Sequence, residues 1–230
     1  MRFVFTPDWF LNADVLIDPL SFIVLFVFFI LCLRTYKLNK KKNFLYLSAG
    51  FFLIAIAQLA VILTKLILYY DTALTQAVGQ VILSYNIVSS VDIFYFIGFF
   101  MHRLLTLSGL YMIYRLPVIK KTSKELFLAL FLALYFIVIS ALFSSKIYHF
   151  FYITSLVLLF LIIKNYYFVY KKNNSINTKM LILAFSVLAL SQAIFIFSNA
   201  GIFYVAARII EVASYLILLF LIIRILKHKI

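Results

Sequence analysis

Apolar positions along this chain fall into long unbroken runs separated by short polar and basic stretches. They do not alternate with polar residues at every second position, as the strands of a membrane β-barrel would. The runs have the length that lets a helix cross a bilayer, about 20 residues. Seven helices are predicted, at about 16–36, 43–68, 92–116, 125–143, 149–170, 178–198 and 202–225. Pro19 is expected in a first helical turn, where its missing N–H costs nothing. Asn43 and Asn177 are expected N-caps, and Gly201 is expected to break the chain between the last two helices. Segment 72–91 is too polar for a span. Leu74, Val78, Ile82 and Tyr85 recur there near helical spacing, which predicts an amphipathic helix on the outer surface or an outward extension of the third helix.

Composition agrees with this pattern. Of the 230 residues, 67% are hydrophobic, against roughly 45–50% in soluble domains, and the mean hydropathy is +1.14. A soluble domain of this size has no interior able to hide so much apolar surface, so a cytosolic or secreted enzyme is excluded, as is disorder. Seven spans use about 140 residues. The expected fold class is therefore all-α: one polytopic transmembrane domain, 1–230.

The net charge is +14, but the cations sit in loops, which points to membrane orientation and not to nucleic acid. One side carries 15 of them: Arg34, Lys37, Lys40, Lys41, Lys42, Arg115, Lys120, Lys121, Lys124, Lys171, Lys172, Lys179, Arg224, Lys227 and Lys229. The other side carries Arg2, Lys65 and Lys146, with Asp8, Asp14, Asp18 and Asp71. Basic loops stay in the cytoplasm, so the N-terminus is expected outside and the C-terminus inside, in a multi-pass protein of the cell membrane. Trp9 and Phe10 outside, and Tyr36, Tyr114 and Tyr170 inside, suit interfacial belts. No signal peptide is expected, because Arg2 is followed by a mixed, acid-containing stretch. Cys32 is the only cysteine, which leaves no internal disulfide and a small buried apolar role.

The chain also resembles itself. A gapless shift of 134 positions aligns 21–64 with 155–198, with 12 of 44 positions identical. Six of those identities are polar or tyrosine: Ser21/Ser155, Tyr36/Tyr170, Lys37/Lys171, Asn39/Asn173, Asn43/Asn177 and Gln58/Gln192. Arg103 aligns with Arg208 at a shift of 105. Repeat A, 16–116, then matches repeat B, 149–225, with 125–143 as a linker helix. This is a 3+1+3 arrangement whose copies insert in the same sense, a parallel repeat.

In helix count and topology the chain resembles the SWEET and PQ-loop transporters, the rhodopsin-like seven-helix bundles, and the seven-helix sensor modules of some prokaryotic histidine kinases. The resemblance implies a ligand or solute site within the bundle. It carries over no site residue: no Pro-Gln pair occurs, segment 202–225 has no lysine for a retinal Schiff base, and no kinase domain follows Ile230.

Charges inside a bilayer are expensive, about 2.5–3.5 kcal/mol each on insertion scales, so intramembrane charges are the candidates for function. Tyr204, Arg208, Glu211 and Tyr215 are spaced to share one helical stripe. Arg103, with His102 beside it, occupies the equivalent place in the third helix. Glu211 is the expected carboxylate for both arginines. Two cations against one acid leave an excess positive charge, which favours an anionic ligand, Asp92, a tyrosine or trapped water. Gln58 and Gln192 are expected either to line the same site or to join helices. Lys164 is expected to snorkel to the cytoplasmic edge. No HExxH, paired-carboxylate, Cys-His or glycine-rich phosphate motif occurs, so no catalytic residue, metal ligand or cofactor is expected, and the protein is read as a non-enzyme.

The expected function is a sensor or receptor-like module that binds a small anionic or polar ligand between helices three and seven. Arg103, Arg208, Glu211, Gln58, Gln192, Tyr204, Tyr215 and His102 are the candidate ligand-binding residues. A small-solute transporter is the second reading, and a non-catalytic assembly partner of another membrane protein the third. The partners expected are the lipid bilayer, that ligand or that second chain, and no nucleic acid.

Overall fold

The computed structural model describes residues 7–40, 42–69, 90–115, 136–140, 149–198 and 201–227. Among these the chain is helical, with no strand. A 3-10 turn, Asp8–Phe10, leads into α1 (Leu11–Asn39), followed by α2 (Lys42–Tyr69) and α3 (Ser90–Tyr114). A helical stretch at 136–140, here α4, precedes α5 (His149–Asn173), α6 (Ile176–Phe195) and α7 (Gly201–Lys227). Segment 70–89, which holds most of the predicted surface helix, lies outside the described residues, as does most of the predicted linker helix.

Five of these helices, α1, α2, α5, α6 and α7, are long and apolar enough to cross a membrane. α3 has 25 residues and carries His102 and Arg103 midway. The apolar surface runs right round the helices. In α1, Val24, Leu25, Phe28 and Cys32 are buried, while Leu16, Ile23 and Ile30 are exposed. A helix that is apolar on every face is suited to lipid outside and protein inside.

The core draws on all six long helices, from Phe28 and Phe51 through Ile113 and Leu159 to Phe185 and Leu218. Each helix of α1–α3 packs on the next, as does each helix of α5–α7; α1 meets α7 and α3 meets α5. α2 and α3 approach most closely at two glycines. A Cβ on Gly109 would lie 2.7 Å from the Gly50 carbonyl oxygen, and one on Gly50 would lie 2.9 Å from that of Gly109. A backbone oxygen cannot rotate away, so the two helices need glycine at both positions.

Several boundaries differ from the sequence expectation. α1 begins at Leu11, five residues before the apolar run, so Pro19 is its ninth residue and not in its first turn. The N–H missing at Pro19 costs the bond to the Val15 carbonyl. Asn43 and Asn177 each lie second within a helix, not at an N-cap, and Ser175 precedes α6 with no side-chain cap bond. Gly201 opens α7; the break comes earlier, in turns through Ser198. Trp9 is exposed, but Phe10 is buried against Phe195 and Tyr204. Cys32 is buried and Lys164 exposed. α1 and α5 end alike: Lys40 and Asn174 are left-handed, with φ of 54° and 44°. Their N–H groups donate to the carbonyls of Tyr36 and Tyr170, each at 2.7 Å. This is the usual way of closing the last turn of a helix.

Candidate functional site

The extension of α1 decides what the site is made of. It brings Asp14 into the helix with Asp18, four residues apart and therefore on one face. Lys65 lies four residues before the end of α2, and Arg208 seven after the start of α7. All four belong to the same end of the bundle. There Lys65 Nζ donates to Asp14 Oδ2 at 2.7 Å and to Asp18 Oδ2 at 2.6 Å. The Arg208 guanidinium reaches three acids: Asp14 Oδ1 from Nε at 2.7 Å, Asp18 Oδ1 from Nη2 at 2.8 Å, and Glu211 Oε2 from Nη1 at 2.7 Å. The planar fork of arginine suits this arrangement in a way a single ammonium could not. Asp14 is 0% exposed and Asp18 1%, so these charges are tolerable only because they are paired.

Tyrosines and a glutamine extend the network. The Tyr204 hydroxyl donates to Asp14 at 2.9 Å, and its ring lies 5.9 Å from the guanidinium carbon of Arg208. The Tyr215 hydroxyl donates to Glu211 at 3.3 Å and accepts from Gln58 Nε2 at 3.5 Å. His102 Nδ1 donates to the Ala57 carbonyl at 3.2 Å, which leaves Nε2 of the neutral ring as an acceptor.

Beside the network is a cavity of about 130 Å³, lined from all six long helices. All eight residues singled out in the sequence line it: Gln58, His102, Arg103, Gln192, Tyr204, Arg208, Glu211 and Tyr215. Lys65, Thr106, Tyr152 and Ser155 line it too. The volume exceeds what one water needs and falls below the few hundred cubic ångströms of a drug-sized pocket.

Two expectations change. Lys65, Asp14 and Asp18 were expected at the outer surface; they are buried, because helical continuity and mutual pairing carry them inward. The expected positive excess also disappears. Lys65, Arg103 and Arg208 now stand against Asp14, Asp18 and Glu211, and the formal charges of the six sum to zero. The charge argument for an anionic ligand goes with it. Arg208 meets Glu211 as expected, but its other carboxylates come from α1.

Sequence reading missed these three, and also Thr106 and Ser155. The signal for the aspartates was present: an i, i+4 acid pair abutting an apolar run. Thr106 Oγ1, Ser155 Oγ and Gln192 Oε1 are buried and have no hydrogen-bond partner among the described residues. Comparison with family models, with curated proteins and with solved structures finds no match. Among the described residues no group of three or more His, Cys, Asp or Glu could hold a metal ion.

Proposed function

We propose that this chain is a seven-helix, multi-pass protein of the cell membrane, with its N-terminus outside and its C-terminus in the cytoplasm, and that it receives a small polar ligand between α3 and α7 as a sensor or receptor-like module. The observation that carries this reading is the cavity itself: five helices direct polar side chains at one space between the helices, and three of the polar atoms there have no partner among the described residues. Bundles place ligand sites between helices in this way.

The parallel repeat is part of the proposal, with α1–α3 equivalent to α5–α7 and α4 as the linker. α1 ends and α2 begins at 39 and 42, α5 ends and α6 begins at 173 and 176, the same shift of 134. The left-handed residues Lys40 and Asn174 obey it too. Leu25 and Leu159, Phe51 and Phe185, Ala55 and Ala189, and Gln58 and Gln192 are buried in pairs. The packing of α1 on α7 is matched by that of α5 on α3, as a two-fold axis along the membrane normal requires.

For orientation, Lys65 leaves the count of outer loop cations, while Arg34, Lys37, Lys40, Lys42, Lys171, Lys172 and Lys179 are exposed at the opposite end. A GFP fused after Ile230 is expected to fluoresce, and alkaline phosphatase at the same place to be inactive. The reverse pattern overturns the orientation.

A site at the junction of two repeats is also where a transporter would hold its solute, which keeps small-solute transport as the second reading. The assembly-partner reading loses its motive, because the ion network is satisfied within the chain. To test the function, purified protein is exposed to a small-molecule extract of the producing cells, washed, and its retained compounds read by mass spectrometry. A compound held by the wild type and lost from Gln192→Leu is expected. Accumulation of that compound in proteoliposomes would move the reading to transport, and retention of nothing would end it.

A further inference from the structure

The cavity has two unlike halves. On the side of α1, α2 and α7 the charged groups satisfy one another through five ion pairs. On the side of α3, α5 and α6 stand His102, Arg103, Thr106, Ser155 and Gln192, and the buried oxygens of Thr106, Ser155 and Gln192 have no partner among the described residues. The repeat relates the two halves. Under its shifts, Asp18 corresponds to Tyr152 and Glu211 to Thr106. Two of the carboxylates around Arg208 thus become neutral hydroxyl-bearing residues on the other side. Ser155 is 1% exposed and Gln192 9%, so neither oxygen has bulk water to turn to.

We infer that the ligand is an uncharged molecule bearing N–H or O–H donors, and that it is held by Thr106, Ser155 and Gln192 and not by the ion network. This deepens the proposed function and rests on it. The Gln192 Oε1 atom can only accept, so its complement must donate. The Thr106 and Ser155 hydroxyls can give or take a hydrogen bond and match amides and alcohols equally. The formal charges of Lys65, Arg103, Arg208, Asp14, Asp18 and Glu211 sum to zero. A ligand with net charge would therefore enter a low-dielectric site with no net countercharge to meet it. Arg208, Glu211, Lys65 and the α1 aspartates then serve to fix the wall opposite Thr106, Ser155 and Gln192.

Three probes of one carbon skeleton test this: propionamide, propionate and propylammonium, titrated against the purified protein in detergent and read by ligand-observed NMR. Propionamide is expected to bind, with the two charged probes weaker by about tenfold or more, the equivalent of one well-made hydrogen bond. Gln192→Leu and Thr106→Val are expected to weaken propionamide by about tenfold each. In the absence of probe they are expected to raise Tm, because each removes a buried polar atom that has no partner among the described residues. Preferred binding of propionate or propylammonium overturns the inference and leaves the ligand site standing. Failure of all three probes overturns both. Variants that lower Tm while leaving propionamide binding unchanged make these residues structural and overturn the inference alone.

Discussion

Arg208→Gln lowers thermal stability in detergent by the equivalent of about 3–5 kcal/mol. The guanidinium is the one group that touches all three acids, at 2.7–2.8 Å. With it gone, Asp14 and Asp18 keep only Lys65 of their two cations, and Glu211 loses its ion pair, in a region where Asp14 is fully buried. The loss is large against a total folding stability of about 5–15 kcal/mol for an ordinary domain. Arg208→Lys recovers only part of it, because one ammonium cannot reach three carboxylates in a plane. Glu211→Gln alone costs about 1 kcal/mol, since its amide oxygen still accepts from Nη1. Added to Arg208→Gln, it removes the stranded negative charge and recovers a measurable part of the stability, a coupling that a double-mutant cycle reads directly. A Tm for Arg208→Gln equal to that of the wild type refutes a structural role for the network.

The architecture was legible because membrane helices leave a coarse signal. Long apolar runs such as 16–36 and 202–225 marked where helices lie, and polar matches such as Gln58/Gln192 marked residues that line one cavity. The helix ends were less legible. Hydropathy marks where a chain becomes apolar, not where its backbone bonds begin, and α1 starts five residues earlier than its apolar run. That small error had a large consequence. It put Asp14 in a surface loop and Asp18 at the outer end of the helix, left Arg208 with one carboxylate, and made an anion seem necessary. Lys65 was misread for the complementary reason: a lysine near a helix end ordinarily snorkels to the interface, and only the aspartates four and eight residues into α1 give it cause to stay buried. Partners on different helices are invisible to spacing rules that work within one helix. Thr106 and Ser155 were passed over because a lone hydroxyl in an apolar run usually bonds its own helix, as Ser21 does to the Ile17 carbonyl at 2.9 Å.

Asp14→Asn tests the other side of the same network, with a loss of about 3–5 kcal/mol expected. Three donors converge on this carboxylate: Arg208 Nε, Lys65 Nζ and the Tyr204 hydroxyl. An amide offers one accepting oxygen in place of two, and its NH2 group faces a cation that also donates. The six charges then sum to plus one, and the surplus sits where water cannot reach it. Lys65→Met removes that surplus and keeps an unbranched apolar chain along the α2 face. Lys65→Met alone strands a negative charge and is destabilising, yet in the Asp14→Asn background it is expected to restore stability. The two effects are therefore strongly non-additive, by about 1–3 kcal/mol. This sign pattern separates pairing from packing. If Lys65 and Asp14 mattered only as space-filling side chains, the double variant would show the sum of the two losses. Thermal melts of the wild type, both single variants and the double variant in one detergent decide between these outcomes, and additive losses would mean that charge balance is not what holds α1 and α2 to α7.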